Sequence, residues 1–121
     1  MKVKATWQGI EDLRKKAEQI ARTVPDAAED ACLKGAVLIE VDATRRAPRR
    51  RGLLQDSIDS KRVPNGAEVG PDVSYALDVE FGRSNMAAQP YMTPAVESKK
   101  REVRDLVGDA VKVEIERRSR S

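Results

Sequence analysis

Histidine is absent, cysteine occurs once, and only four aromatic residues, Trp7, Tyr75, Phe81 and Tyr91, are found among the 121 residues. A zinc site draws on several Cys or His ligands, a histidine-dependent nucleophilic triad needs its imidazole, and a disulfide framework needs paired cysteines. This inventory excludes all three. Catalysis would have to rest on carboxylates, Lys or Arg. Asp56 and Glu80 could be imagined as a carboxylate pair, yet no glycine-rich phosphate cradle and no metal-binding cluster of acids accompanies them. We therefore expect no catalytic residue, no metal and no cofactor. Long apolar runs are missing too: none approaches the roughly 18 residues of a membrane span, and Met1-Lys2-Val3-Lys4 lacks the apolar stretch of a signal peptide. The expectation is a soluble protein from a reducing compartment with no membrane partner. Cys32 sits among alanines in a helical pattern, which suits a small buried hydrophobe better than a reactive thiol.

Charge, by contrast, is plentiful, at 36% of residues, and 23 Lys and Arg against 20 Asp and Glu leave a net +3. So small an excess does not by itself argue for nucleic acid. Its distribution is more informative. Arg45, Arg46, Arg49, Arg50 and Arg51 lie between Ala43 and Gly52 with no acid, whereas Glu68, Asp72, Asp78 and Glu80 lie between Pro64 and Gly82 with no base. Arg117, Arg118 and Arg120 form a second basic cluster, so residues 118–121 are expected to be a disordered basic tail after a single domain spanning 1–117.

Met1 to Trp7 alternates as a short strand, and Gly9 ends it. Ile10, Leu13, Ala17, Ile20, Ala21 and Val24 then follow one helical face. Pro25 is tolerated in a first helical turn and predicts a second helix to about Thr44, with Ala28, Ala31, Cys32, Gly35, Leu38 and Ile39 inward and Pro48 forbidding its continuation. Arg49 to Leu54 reads as a loop or short turn. Ser57 to Val63 and Ala67 to Gly70 predict a β-hairpin around Pro64-Asn65-Gly66. Ser74 to Phe81 is ambiguous between helix and strand, Arg83 to Gln89 reads as a loop, and Pro90 and Pro94 introduce a last helix from Thr93 to about Arg117. Met92, Val96, Val103, Leu106, Val107, Ala110 and Val113 share its apolar face, and Glu97–Arg101 and Arg101–Asp105 are spaced for ion pairs. The fold class is α+β, with N-terminal helices and a long C-terminal helix packed on a small antiparallel sheet. A core with so few large apolar residues is often completed by a neighbouring subunit.

Two segments are more specific: Ala47-Pro48-Arg49-Arg50-Arg51-Gly52-Leu53-Leu54-Gln55-Asp56-Ser57-Ile58, and Tyr75-Ala76-Leu77-Asp78-Val79-Glu80-Phe81-Gly82 followed by Ala87-Ala88-Gln89-Pro90-Tyr91-Met92-Thr93-Pro94-Ala95. Together they resemble the small tail-completion, or head-tail joining (neck), proteins of bacteriophages with long non-contractile tails. Those read Ala-Pro, a gap, Gly-Leu and Ser-Ile, then Tyr-Ala with Glu-Phe-Gly and Pro-aromatic-Met-x-Pro-Ala. Arg51 stands where that family often has Thr. The resemblance implies a structural virion protein, not an enzyme, forming a ring at the head-proximal end of the tail with DNA passing through it. It also implies assembly in the host cytoplasm, with copies of itself (a hexamer favoured) and with other neck, connector and tail proteins as partners. A tail terminator or minor connector subunit, or a small basic protein binding DNA non-specifically, are the alternatives.

The motif residues Pro48, Gly52, Leu53, Ser57, Ile58, Tyr75, Ala76, Glu80, Phe81, Gly82, Pro90, Tyr91, Met92 and Pro94 are candidates for fold or interface roles. Arg45, Arg46, Arg49, Arg50 and Arg51 form a solvated loop, pair with a neighbour's acidic stretch, or face DNA phosphate in the lumen. Leu53 and Ile58 are expected to be core or hairpin anchors. Tyr75, Phe81 and Tyr91 either pack in the core, or Tyr75 or Tyr91 anchors an intersubunit contact. Glu80 is either an exposed helix residue or an acceptor for backbone amides of the Gly82 to Pro90 loop. Gly52 and Gly82 are expected to supply positive φ or a close approach.

Overall fold

The computed structural model describes residues 25–49, 52–64 and 66–119. The expected N-terminal strand and first helix, Arg50, Arg51, Asn65, Arg120 and Ser121 lie outside the described residues. Six elements follow in order: α1 (Pro25–Arg46), α2 (Gly52–Ser57), β1 (Asp59–Val63), β2 (Gly66–Gly70), α3 (Ala76–Phe81) and α4 (Met92–Ser119). Helices packed on a two-stranded antiparallel sheet make the chain α+β, as the sequence predicts.

Helix α1 carries Asp26 in its first turn and Arg45 and Arg46 in its last, each at the end of the dipole that favours it. Its inner face is built from small residues, Ala28, Ala31, Cys32, Ala36, Ile39 and Ala43, all nearly inaccessible. Small side chains let α4 approach closely with Val96, Val103, Val107 and Val111. At Gly35 a Cβ would sit 2.8 Å from Val103 Cγ1, so this position admits glycine alone unless Val103 moves. Because Gly35 meets Val103 while Asp42, further along α1, meets Ser98, the two long helices run antiparallel.

The hairpin pairs Asp59 with Gly70 through to Val63 with Gly66. Strand β1 is mostly exposed and β2 mostly buried. Polar ties to α1 hold the exposed strand in place. Ser60 donates to Glu40 (2.8 Å), and Arg62 reaches Glu29 (2.9 Å) and Asp30 (2.6 Å).

Several expectations need correction. Gly52–Ser57 is a short helix rather than loop and strand start. Its one inward turn buries Leu54 and leaves Leu53 72% exposed, so Leu53 is not a core anchor, although Ile58 is buried. Gly52 has ordinary φ and open space where a Cβ would stand, so neither conformation nor crowding requires glycine there. Ser74 to Phe81 resolves as the single-turn helix α3. In α4, Val113 is exposed, Glu97 pairs with Lys100 rather than Arg101, and Lys99 pairs with Glu102, while Arg101 and Asp105 form no ion pair with each other. The helix also runs to Ser119, past the expected end near Arg117.

Candidate functional site

The second motif segment folds into one junction centred on Glu80. Helix α3 has a single turn, and it turns Ala76, Val79 and Glu80 inward. Glu80 is 3% exposed, yet no cation approaches it within salt-bridge distance among the described residues. Its carboxylate accepts three backbone hydrogen bonds: Oε1 from the amides of Tyr91 (3.0 Å) and Met92 (2.9 Å), and Oε2 from Thr93 (3.2 Å). These amides belong to the start of α4, where the first N–H groups have no partner inside the helix and the dipole favours an anion. Pro94 has no N–H to satisfy and is pre-shaped for the first turn. Glu80 is thus the N-terminal cap of α4, supplied by a different helix. The expected acceptor role is present, but its donors lie just beyond the Gly82 to Pro90 loop.

The rest of the segment holds that carboxylate in place. Gly82 adopts φ +79°, and a Cβ there would lie 2.8 Å from the amide nitrogen of Ala88 and 3.0 Å from the carbonyl oxygen of Met86. Only glycine tolerates both the conformation and the contact. Arg83 and Met86 bridge the loop, and the Gln89 amide donates to the Val79 carbonyl (2.8 Å). Tyr91 is fully buried, and its hydroxyl donates to the Ala76 carbonyl (3.2 Å). Burial pushes its phenol up, and the charge of Glu80 and then Tyr75 adds to the effect. Tyr91 therefore packs inside its own subunit, Tyr75 is half-buried, and Phe81 is 65% exposed instead of joining the core.

The first motif segment closes the far end of α1. Pro48 follows the last helical turn, and Gln55 of α2 donates to the carbonyls of Thr44 (3.1 Å) and Ala47 (3.2 Å), which the helix itself leaves unpaired. The sequence reading missed Gln55, because its partners lie 11 and 8 residues away. Ser57 donates to Leu54 (2.8 Å) and accepts from the Asp72 amide (3.1 Å), joining α2 to the chain beyond the hairpin.

The arginine stretch divides. Arg45 and Arg46 both donate to the buried carboxylate of Asp42, Arg46 at 2.8 Å, and Ser98 of α4 adds a third bond at 2.9 Å. Burial alone would raise the Asp42 carboxyl. The hydrogen bonds from Arg46, Arg45 and Ser98, with the Arg46 charge, outweigh it and hold the group well below the usual carboxylate range. Arg49 is exposed. Within the acidic stretch, Glu68 pairs with Lys61 (3.7 Å) and Asp78 with Arg83 (3.4 Å) inside the same chain. Among the described residues no group of three or more His, Cys, Asp or Glu is arranged to hold a metal ion.

Beside the exposed Arg83, the frame presents two apolar side chains outward. Leu77 and Phe81 stand one turn apart on α3, 37% and 65% exposed, on a helix fixed by the Glu80 junction. The chemistry of this site is packing and hydrogen bonding.

A model of the family described as "HK97-gp10_like: Bacteriophage HK97-gp10, putative tail-component" matches residues 11–82, more than half of the chain. The matched stretch contains the first motif segment and the second as far as Gly82. No curated protein and no solved structure matches the chain.

Proposed function

Because the chain belongs to the HK97-gp10-like family of bacteriophage tail components, we propose that it is a ring-forming neck or tail-completion subunit at the head-proximal end of the tail. As a tail component it is a structural protein of the virion, among other tail proteins. The observation that supports the finer reading is the outward face of α3. A large aromatic and a leucine are held exposed on a helix whose other side is locked by three hydrogen bonds and a glycine-only turn. Exposed aromatics on rigid frames are favoured at protein interfaces, because little ordering entropy is lost on contact. Cyclic assemblies join one face of a subunit to a different face of the next, so Leu77 and Phe81 would meet a distinct surface of the neighbour. Since Arg45 and Arg46 already bind Asp42, Arg49 with Arg50 and Arg51 is left as the stretch for contact with genomic DNA in the ring.

Particles produced without this chain test the assignment. Unjoined heads and tails in negative-stain images are expected, with joining restored by the wild-type chain and not by Phe81→Ser. Intact particles in its absence would refute the neck assignment. For DNA, Arg49→Ala/Arg50→Ala/Arg51→Ala should weaken retention with a reduced salt slope, since each phosphate contact releases counterions. Tight, salt-dependent DNA binding by a monomer with no ring would favour a small basic DNA-binding protein instead.

A further inference from the structure

Among the described residues, α1 and the C-terminal half of α4 leave an open groove of about 400 Å³ between them. Ala27 and Ala31 of α1 face Leu106, Ala110 and Val113 of α4 across it. Two alanines on one wall make the hollow, and Val113 on the other stays exposed beside it. Such a recess leaves apolar surface against water and accepts large side chains that project from another surface. Lys34 on α1 and Asp109 on α4 stand at its rims, and neither has an ion-pair partner among the described residues. Asp30, also on the α1 rim, is already held by Arg62 at 2.6 Å.

We infer that this groove seats the α3 face of a second copy of the chain, with Phe81 and Leu77 entering it. The inference rests on the reading of α3 as a contact between copies, and names the surface that α3 meets. Shape is the first support: α3 projects a phenylalanine and a leucine from a rigid frame, and the groove is an apolar recess walled by alanines. Charge is the second. Asp78 and Arg83 flank the projecting pair, and their one ion pair is with each other, at 3.4 Å and well exposed to solvent. In the docked copies Asp78 meets Lys34 and Arg83 meets Asp109. Giving up an exposed ion pair costs little, and the two new pairs fix which way round α3 sits while apolar burial supplies the affinity. Position is the third. Glu80 ties α3 to the start of α4, and 18 residues of that helix separate Met92 from Ala110, about 27 Å at the α-helical rise. A chain therefore cannot fill its own groove. Contact between two unlike and distant faces runs head to tail from copy to copy, the geometry from which rings close.

Sedimentation of the full-length chain over a concentration series reads the contact, with far-ultraviolet spectra to show that each variant is folded. Wild type is expected to self-associate. Phe81→Ser, which removes the projecting ring, and Ala110→Trp, which fills the recess, should each weaken association about tenfold or more. Mixed in equal amounts, these two variants should form a one-to-one dimer that grows no further, because one keeps its groove and the other its α3 face. Asp109→Arg changes an exposed side chain, so it reads the groove even if Ala110→Trp fails to fold. It should weaken association about tenfold, and adding Arg83→Asp to the same chain should restore it. If Phe81→Ser dissociates the oligomer while Ala110→Trp and Asp109→Arg do not, α3 is an interface with another seat: this inference fails and the reading of α3 stands. A mixture of the two variants that stays monomeric would overturn the inference as well. If Phe81→Ser has no effect, or wild type is monomeric at every concentration at which it stays dissolved, the inference and the reading of α3 fall together.

Discussion

Two carboxylates are buried among the described residues, Asp42 at 4% exposure and Glu80 at 3%, and they are satisfied in opposite ways. Asp42 sits between α1 and α4 and takes side-chain donors, two of them arginines that reach solvent. Glu80 sits between α3 and α4 and takes three backbone amides, with the dipole of a 28-residue helix behind them. An ion pair whose cations reach water can re-solvate when broken, whereas the buried amides of Tyr91 and Met92 cannot. Glu80 should therefore be the more critical of the two.

The largest expected effect is at Glu80. Glu80→Ala leaves three buried or half-buried N–H groups without acceptors, a loss of about 3–5 kcal/mol, which for a domain of this size unfolds much of the population. Glu80→Gln keeps one acceptor oxygen but turns an amide donor toward the helix start, and should lose about 2 kcal/mol. Urea unfolding of both variants checks this, and a Glu80→Gln protein as stable as wild type would remove the distinction between the two acids. Gly82→Ala comes next, at about 2–3 kcal/mol, because the obstructing atoms are backbone and the φ is left-handed. Its effect should add little to that of Glu80→Ala, since both release the same junction.

Asp42→Asn should cost less, about 1–2 kcal/mol near neutral pH. The sign of its pH dependence follows from a carboxyl held below its unfolded value of about 3.9. Its stabilisation is fully present above that value and is lost as pH falls through it toward the lower folded one. The stability gap between wild type and Asp42→Asn should therefore be constant above about pH 5 and narrow steadily as pH falls below it, without closing fully until the pH is below the folded value. High salt should narrow the same gap at pH 7 by screening the arginines, while the gap for Glu80→Gln, which involves no cation, should stay put. A salt response of equal size in both would mean the two sites share one electrostatic origin.

The same contrast explains what could be seen in the sequence. The α+β class, the hairpin and the long last helix were legible, because each rests on local periodicity and turn chemistry. An acid between Val79 and Phe81 was conspicuous for the same reason, and so was the glycine after it. Its donors at Tyr91 to Thr93 were not legible, since 11 to 13 residues and a loop separate them. Neither was the orientation of Leu53 and Phe81. A helix of six residues is too short for periodicity to say which of two adjacent leucines faces inward, and hydrophobicity alone assigns an exposed phenylalanine to the core. The segregation of charge was real in sequence, yet folding spends much of it within the chain: Arg45 and Arg46 on Asp42, Glu68 on Lys61, Asp78 on Arg83. The contact surface we propose consequently rests on the apolar side chains of α3 rather than on charge.

The smallest expected effects lie among the donors to Asp42, and they test whether that site is one unit or a sum. Ser98→Ala removes the only donor from α4 and should cost about 0.5–1 kcal/mol. Arg45→Ala removes a side chain that is 71% exposed, and should cost no more than about 0.5 kcal/mol. The order matters more than the sizes, because Ser98 ties two helices together while Arg45 pairs within its own. If Arg45→Ala proved the more damaging in thermal melts, the Asp42 site would be held mainly by charge, and the joining of α1 to α4 would rest on their apolar packing, Gly35 against Val103 included.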